Sequence, residues 1–442
     1  MGVFVHEFTH DLGLPDLYDT SGGENSTGFW TLMSSGSWLS DVDYDIGSAP
    51  GHLGPWEKQQ LGWLDVHVAE AGETAELTLG PVEYNSDRPQ ALLVDLPDKH
   101  VSWDIAAPYA GERFYYSGKG DNLRNRMTKA FTLPAGAQLT AMVNYGIEKG
   151  YDYANVIASR DGGATWETVP TNLSKSTVEV NGIDGFTKRW TKLTADLSAY
   201  AGDVVLGFQY VTDGGVAEVG FMVDEIAITG YPVDGAEGDA PAAWTFSGQS
   251  GNPGFKVTTG HESGEFWNYY LAEYRQFWGY DAALAKCYNF GFLKGKLAAA
   301  NLVERFAYED GLLVWYCDES QPDNNTSVHP GSGFALPVDA HPEPLARTKS
   351  SIWRNRVQIY DATFGLEPTA GLGLHYNSKL YPIPSLPAAP VFSDAVSYWS
   401  AANPTGSVKT PTHGARIEVL GTAAASDGGS YMGVRVTAPV LE

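Results

Sequence analysis

The chain has 442 residues, 43% of them hydrophobic and 12% aromatic, with a formal charge of −25. That length exceeds one ordinary domain and allows two to four, and the apolar share suffices for true cores. The charge speaks against nucleic-acid or anionic-membrane partners for want of a basic patch, and no apolar run reaches the length of a membrane span. The 50 Gly and 25 Pro, set among 13 Trp and 24 Tyr, suit many short strands joined by tight turns.

The first element is the most informative. Val3-Phe-Val-His-Glu-Phe-Thr-His-Asp-Leu-Gly-Leu-Pro-Asp16 contains His6-Glu7-x-x-His10, and an i,i+4 spacing puts both imidazoles on one helix face. Glu7, beside the first ligand, is placed to take a proton from a metal-bound water. Gly13 predicts a left-handed residue that ends the helix, and Pro15 blocks its continuation. The chain can then double back and deliver Asp16 as a third, oxygen ligand. Three protein ligands and one open position describe a catalytic Zn²⁺ site rather than a structural one. The apolar neighbours Val3, Phe4, Val5, Phe8, Leu12 and Leu14 predict that the helix is buried, where two His and a Glu need a compensating partner. The competing reading is a chance polar pair on an exposed helix face.

Residues 16–27 hold Asp19, Ser21, Glu24 and Asn25 among glycines, and residues 39–45 alternate carboxylates. Both loops offer oxygen ligands to Ca²⁺, with a solvated turn as the blander alternative; neither has the spacing of an EF-hand. Between them, Met33 sits in a turn rich in Ser and Gly. Residues 52–64 show helical periodicity through Leu53, Trp56, Gln60, Leu61 and Leu64. His52, near that helix start, reads as structural rather than as a ligand.

From residue 70 the period changes to that of strands, first at 76–79 and 91–96. Further strands are expected at 138–145, 154–159, 204–210 and 221–229, with Asp161-Gly-Gly163 as a hairpin turn. A Gly/Ala/Asp/Pro-rich linker at 234–243 precedes apolar, aromatic strands at 269–275 and 311–317. Cys287 and Cys317 can form one disulfide or remain two buried thiols.

Three segments carry a family resemblance: residues 6–19 (H-E-F-T-H-D-L-G-L-P-D-L-Y-D), 30–38, and 52–63 (H-L-G-P-W-E-K-Q-Q-L-G-W). Together they resemble the immune inhibitor A family of secreted bacterial metallopeptidases. His6, Glu7, His10, Gly13 and Asp16 fill the metzincin pattern H-E-x-x-H-x-x-G-x-x-H/D, and Met33 stands where those enzymes have a methionine turn. No Tyr follows closely behind Met33, so a tyrosine of the kind that stabilises the transition state is not assigned there.

The resemblance implies a multidomain chain, in which the C-terminal half of a metzincin-like α+β catalytic domain precedes all-β, jelly-roll-like sandwiches. Residues 1–68 would be a partial catalytic domain. Residues 69–101 with 241–438 would form one discontinuous, VEG-like sandwich, and 102–232 an inserted MAM-like sandwich. The expected activity is zinc-dependent hydrolysis of polypeptides outside the cell. His6, His10 and Asp16 would hold Zn²⁺, and Glu7 would activate its bound water. Because residue 1 already lies inside the helix, the expectation is an internal start, a longer natural enzyme, and reduced or no activity for the chain as given. The reading from another class is a non-catalytic extracellular binding or adhesion module, its exposed aromatic residues stacking on glycans or proteins.

Overall fold

The computed structural model describes residues 1–24, 26–41, 46–175, 181–249, 251–286, 306–348, 351–376, 379–425 and 429–441. It divides into two compact units, residues 1–100 with 265–442, and residues 101–264. The strands that carry the chain out and back, Lys99–Asp104 and His261–Phe266, pair with each other.

The larger unit is built on a five-stranded sheet. Its order is Val66–Val68, Ala91–Asp95, Asn268–Arg275, Gly311–Asp318 and Ala335–Val338, and only the first pair is parallel. The central strand Asn268–Arg275 is buried at every position. Strand alternation sends Tyr270, Ala272 and Tyr274 to one face and Tyr269 and Leu271 to the other. The first set packs with Leu79, Phe392, Ile417, Met432 and Val434, which belong largely to a second sheet ordered Thr74–Leu79, Ser430–Thr437, Arg416–Ala424, Val391–Ser393. The second set packs with Leu17, Phe29, Trp30, Met33 and Leu39. A strand covered on both faces loses the polar alternation of a half-exposed one, which explains its continuous apolar and aromatic run. The N-terminal segment thus rests on the outer face of a sheet whose inner face is already filled.

Charged residues on that outer face are paired. Arg275 contacts Glu273 at 2.8 Å and Asp281 at 2.5 Å, all three essentially without solvent, and Trp315 Nε1 donates to Glu273 at 2.9 Å. Removing one partner would leave a buried charge uncompensated, so the cluster ties the two layers together.

The unit of residues 101–264 has its own core. One sheet holds Gln138–Ile147, Gly220–Ile228, Phe114–Tyr116 and Lys256–Thr258, with Gly185–Phe186 and Thr191–Asp196 also on Gln138–Ile147. The other is ordered Thr245–Ser247, Arg124–Leu133, Gly202–Val211, Tyr153–Ser159, Glu167–Val169. Met127, Leu139, Val143, Phe208 and Phe221, drawn from both sheets, meet in one cluster. The strands Thr245–Ser247 and Lys256–Thr258 lie past the linker, where the sequence reading placed the other sandwich. They pair instead with Arg124–Leu133 and Phe114–Tyr116, so the turn residues at 234–243 mark a crossing within this unit and not its boundary.

Among the described residues no helix is long and apolar enough to cross a membrane. Cys317 is buried and has no disulfide partner among them; Cys287 lies outside them.

Candidate metal centre

The first helix, α1, runs Gly2–His10. Gly13 has φ +94°, the left-handed conformation that lets the chain leave the helix, and its N–H donates to the His10 carbonyl at 2.8 Å. Within this chain the helix is buried on one face only. Val3, Phe4, Phe8 and Leu12 are exposed, Phe4 by 72%, and the buried positions are Gly2, His6 and Thr9. Apolar character alone does not dictate burial. The docked stripe is the one with the smallest residue: a Cβ on Gly2 would stand 1.8 Å from the Ser37 carbonyl oxygen, so only glycine permits this approach.

That docking sets the imidazoles. His6 Nδ1 donates to the Leu32 carbonyl at 2.9 Å, and His10 Nδ1 donates to the Leu14 carbonyl at 2.7 Å. Each ring is thus held through Nδ1, which turns its Nε2 toward Asp16. The two Nε2 atoms meet Asp16 Oδ1 at 3.0 and 3.3 Å. Three atoms able to ligate a metal thus converge, within 4.8 Å of one another. Ligand atoms about 2.0–2.2 Å from a tetrahedral zinc ion stand roughly 3.3 Å apart, so the separations fit an ion between them. The rings lie edge to face, 4.9 Å between centroids.

Met33 is fully buried. Its carbonyl accepts from Leu17 N–H at 2.9 Å, which ties the turn carrying Leu32 to the segment just past Asp16. Beneath it, the Thr31 hydroxyl donates to Glu57 in the helix Pro55–Gln60, α2. Glu57 has no solvent access, and burial pushes its carboxyl up to about 7 although the Thr31 bond opposes this.

A cleft of about 420 Å³ opens beside His6 and Glu7. Its wall includes Tyr18, Trp38, Arg354 and Arg356. Arg354 reaches Glu24 at 3.0 Å, and the Arg356 guanidinium lies 6.0 Å from the centre of the Trp38 ring. Tyr18 stacks near His6 at 6.4 Å; burial, and then the charges of Asp16 and Glu7, raise its hydroxyl. Sequence reasoning looked for a tyrosine behind Met33 and missed this one two residues past Asp16. It missed the arginines because Arg354, the nearer of them, lies 344 residues past His10, the end of the helix.

The Asp19 carboxylate is engaged by its own turn. Burial would raise it, but hydrogen bonds from Ser21, Ser327 and Gly23 outweigh that and hold it at about 2. Asn25, Asp43 and Asp45 lie outside the described residues. His52 takes no part in the centre: its nitrogens face the carbonyls of Leu53 and Glu83 at 3.1 and 3.0 Å, and burial lowers it to about 4.

Three family models match the chain in series. Residues 1–64 match the immune inhibitor A peptidase M6 catalytic domain, 74–254 the immune inhibitor A-like MAM domain, and 264–431 the immune inhibitor A-like metallopeptidase VEG domain. This chain belongs to the immune inhibitor A-like metallopeptidase family. Among curated members it is 36% identical over 440 residues to the pre-pro-metalloprotease PrtV of Vibrio cholerae serotype O1, covering 95% of this chain and 45% of that protein. It is 32% identical over 451 residues to immune inhibitor A of Bacillus thuringiensis subsp. alesti, covering 96% of this chain and 60% of that protein. The chain thus spans about half the length of the family members it matches.

Proposed function

We propose that this chain is a zinc-dependent endopeptidase of metzincin type that acts on polypeptides outside the cell. The observation that carries the reading is the pair of Nε2 atoms meeting one Asp16 oxygen, with both Nδ1 atoms held by backbone carbonyls. A divalent ion satisfies that set, and its two nitrogens and one carboxylate oxygen suit zinc. Held there, zinc lowers the pKa of a water from 15.7 to about 7 and polarises a peptide carbonyl.

The chain's own residues supply the remainder. Glu7 lies in the cleft beside His6 and accepts a proton from the attacking water, then returns it to the leaving amine. Tyr18, on the same wall, is placed to hold the substrate carbonyl. In domain terms, the segment up to residue 68 is the metzincin-like α+β catalytic part. The paired sheets of the larger unit form the VEG-like sandwich, and residues 101–264 the MAM-like one.

Hydrolysis of casein or a quenched peptide tests the reading. Turnover should require zinc, stop with a chelator, and vanish in Glu7→Gln. Turnover that survives in Glu7→Gln would remove the assigned base.

A further inference from the structure

At one end of the 101–264 unit, separate loops bring five carboxylates together. Glu148 and Asp152 lie between strands Gln138–Ile147 and Tyr153–Ser159. Asp213 and Glu218 lie between Gly202–Val211 and Gly220–Ile228, and Asp121 precedes Arg124–Leu133. Oxygens of Glu148, Asp152 and Asp213 all fall within 4.8 Å of one another. Carboxylates so close repel, and in a solvated patch water would screen them.

Asp152 is not solvated. It has no exposed surface; its Oδ1 accepts the Asp213 N–H at 2.9 Å, and its Oδ2 is buried without a hydrogen-bond partner. The Tyr210 hydroxyl beside it is also buried and unpartnered, and it feels the charges of Asp152, Glu218 and Asp121. Leaving a buried carboxylate oxygen unmatched costs several kcal/mol in a low-dielectric setting, so a native fold keeps one where something else binds it.

We propose that Glu148, Asp152 and Asp213 hold a calcium ion, with Asp121 and Glu218 adding negative charge around it. Every donor is an oxygen, which disfavours the nitrogen- and sulfur-seeking transition metals. Calcium accepts six to eight oxygens at about 2.3–2.6 Å, so two of its ligands stand at most about 5 Å apart, and the cluster meets that limit. The loops differ in length and geometry, which suits calcium's irregular coordination better than the strict octahedron of magnesium. Burial raises Glu148 and Asp152, and the further charges that raise them are neighbouring carboxylates. The Asp213 N–H lowers Asp152, but every charge acting on the pair raises it. The ion would pin two loops at one end of the unit, far in sequence from the zinc-site residues.

Calcium titration of the full, zinc-loaded chain by calorimetry, with thermal melts in Ca²⁺ or Mg²⁺, tests the site. The wild-type chain should bind one equivalent that Asp152→Asn and Asp213→Asn lose or weaken roughly tenfold or more. Calcium should raise the melting temperature of the wild type by several degrees and leave both variants unmoved. Asp213 is exposed, so its variant folds whatever the cost at Asp152. Unchanged stoichiometry and affinity in both variants would overturn the proposal. So would a wild-type chain that ignores millimolar Ca²⁺ and instead melts higher as pH falls, which would place a proton on Asp152.

Discussion

His6 and Leu32 are joined across the centre: the ring's Nδ1 donates to the Leu32 carbonyl at 2.9 Å, and Met33, the next residue, is wholly buried. The methionine therefore holds a backbone oxygen in place and does not touch a ligand through its own sulfur in any way the reading requires. Met33→Ala should cost about 2–5 kcal/mol as a cavity forms, and should also weaken zinc binding as the carbonyl drifts. Met33→Leu, close in volume, should cost less than about 1.5 kcal/mol and keep the metal. Denaturant melts and competitive zinc titration of the two variants check this. Equal zinc affinity in Met33→Ala would mean the turn does not position His6.

Two glycines should behave in opposite ways. A side chain on Gly2 strikes the Ser37 carbonyl, so Gly2→Ala should lift α1 off its seat and lose zinc although Gly2 ligates nothing. A side chain on Gly13 meets nothing within 4 Å, and Gly13→Ala should cost only the strain of φ +94°, about 1–2 kcal/mol. Zinc content and melting temperature of both variants are the readout; a zinc-loaded Gly2→Ala would contradict the docking account.

The buried Glu57 predicts a pH dependence. Its folded value, about 7, lies above its ordinary 4.5, so the folded state binds more protons across that interval. Stability from this group is complete below about pH 4.5 and declines as pH rises to about 7, by roughly 3 kcal/mol in all. Glu57→Gln removes the charge, so its stability relative to the wild type should rise between pH 5 and 8. Urea denaturation of both proteins at those two pH values measures it. Parallel curves would show that Glu57 is not the source.

What the sequence reveals here follows from how local each feature is. His6, His10 and Asp16 lie within one helix and one turn, so spacing alone is enough to expect them together. The switch to strand periodicity after residue 70 was equally local. Arg354 and Arg356 reach the cleft only through the sheets, and no pattern near α1 announces them. Val3, Phe4 and Phe8 show what burial would stabilise and not where a partner surface lies. A carboxylate among glycines suits calcium and an Asx turn alike; Asp19 makes the turn, and its further partner Ser327, 308 residues away, has no local signal. The cluster of Glu148, Asp152 and Asp213 stayed hidden because it joins two loops 61 residues apart.

The third ligand carries the central claim, since two histidines on a helix bind many things and the proposed zinc site requires Asp16 beside them. Elemental analysis of purified wild type, Asp16→Ala and Glu7→Ala measures it directly. The account predicts one zinc per chain in the wild type and in Glu7→Ala, and a loss or sharp weakening of zinc in Asp16→Ala. Full zinc occupancy in Asp16→Ala would contradict it.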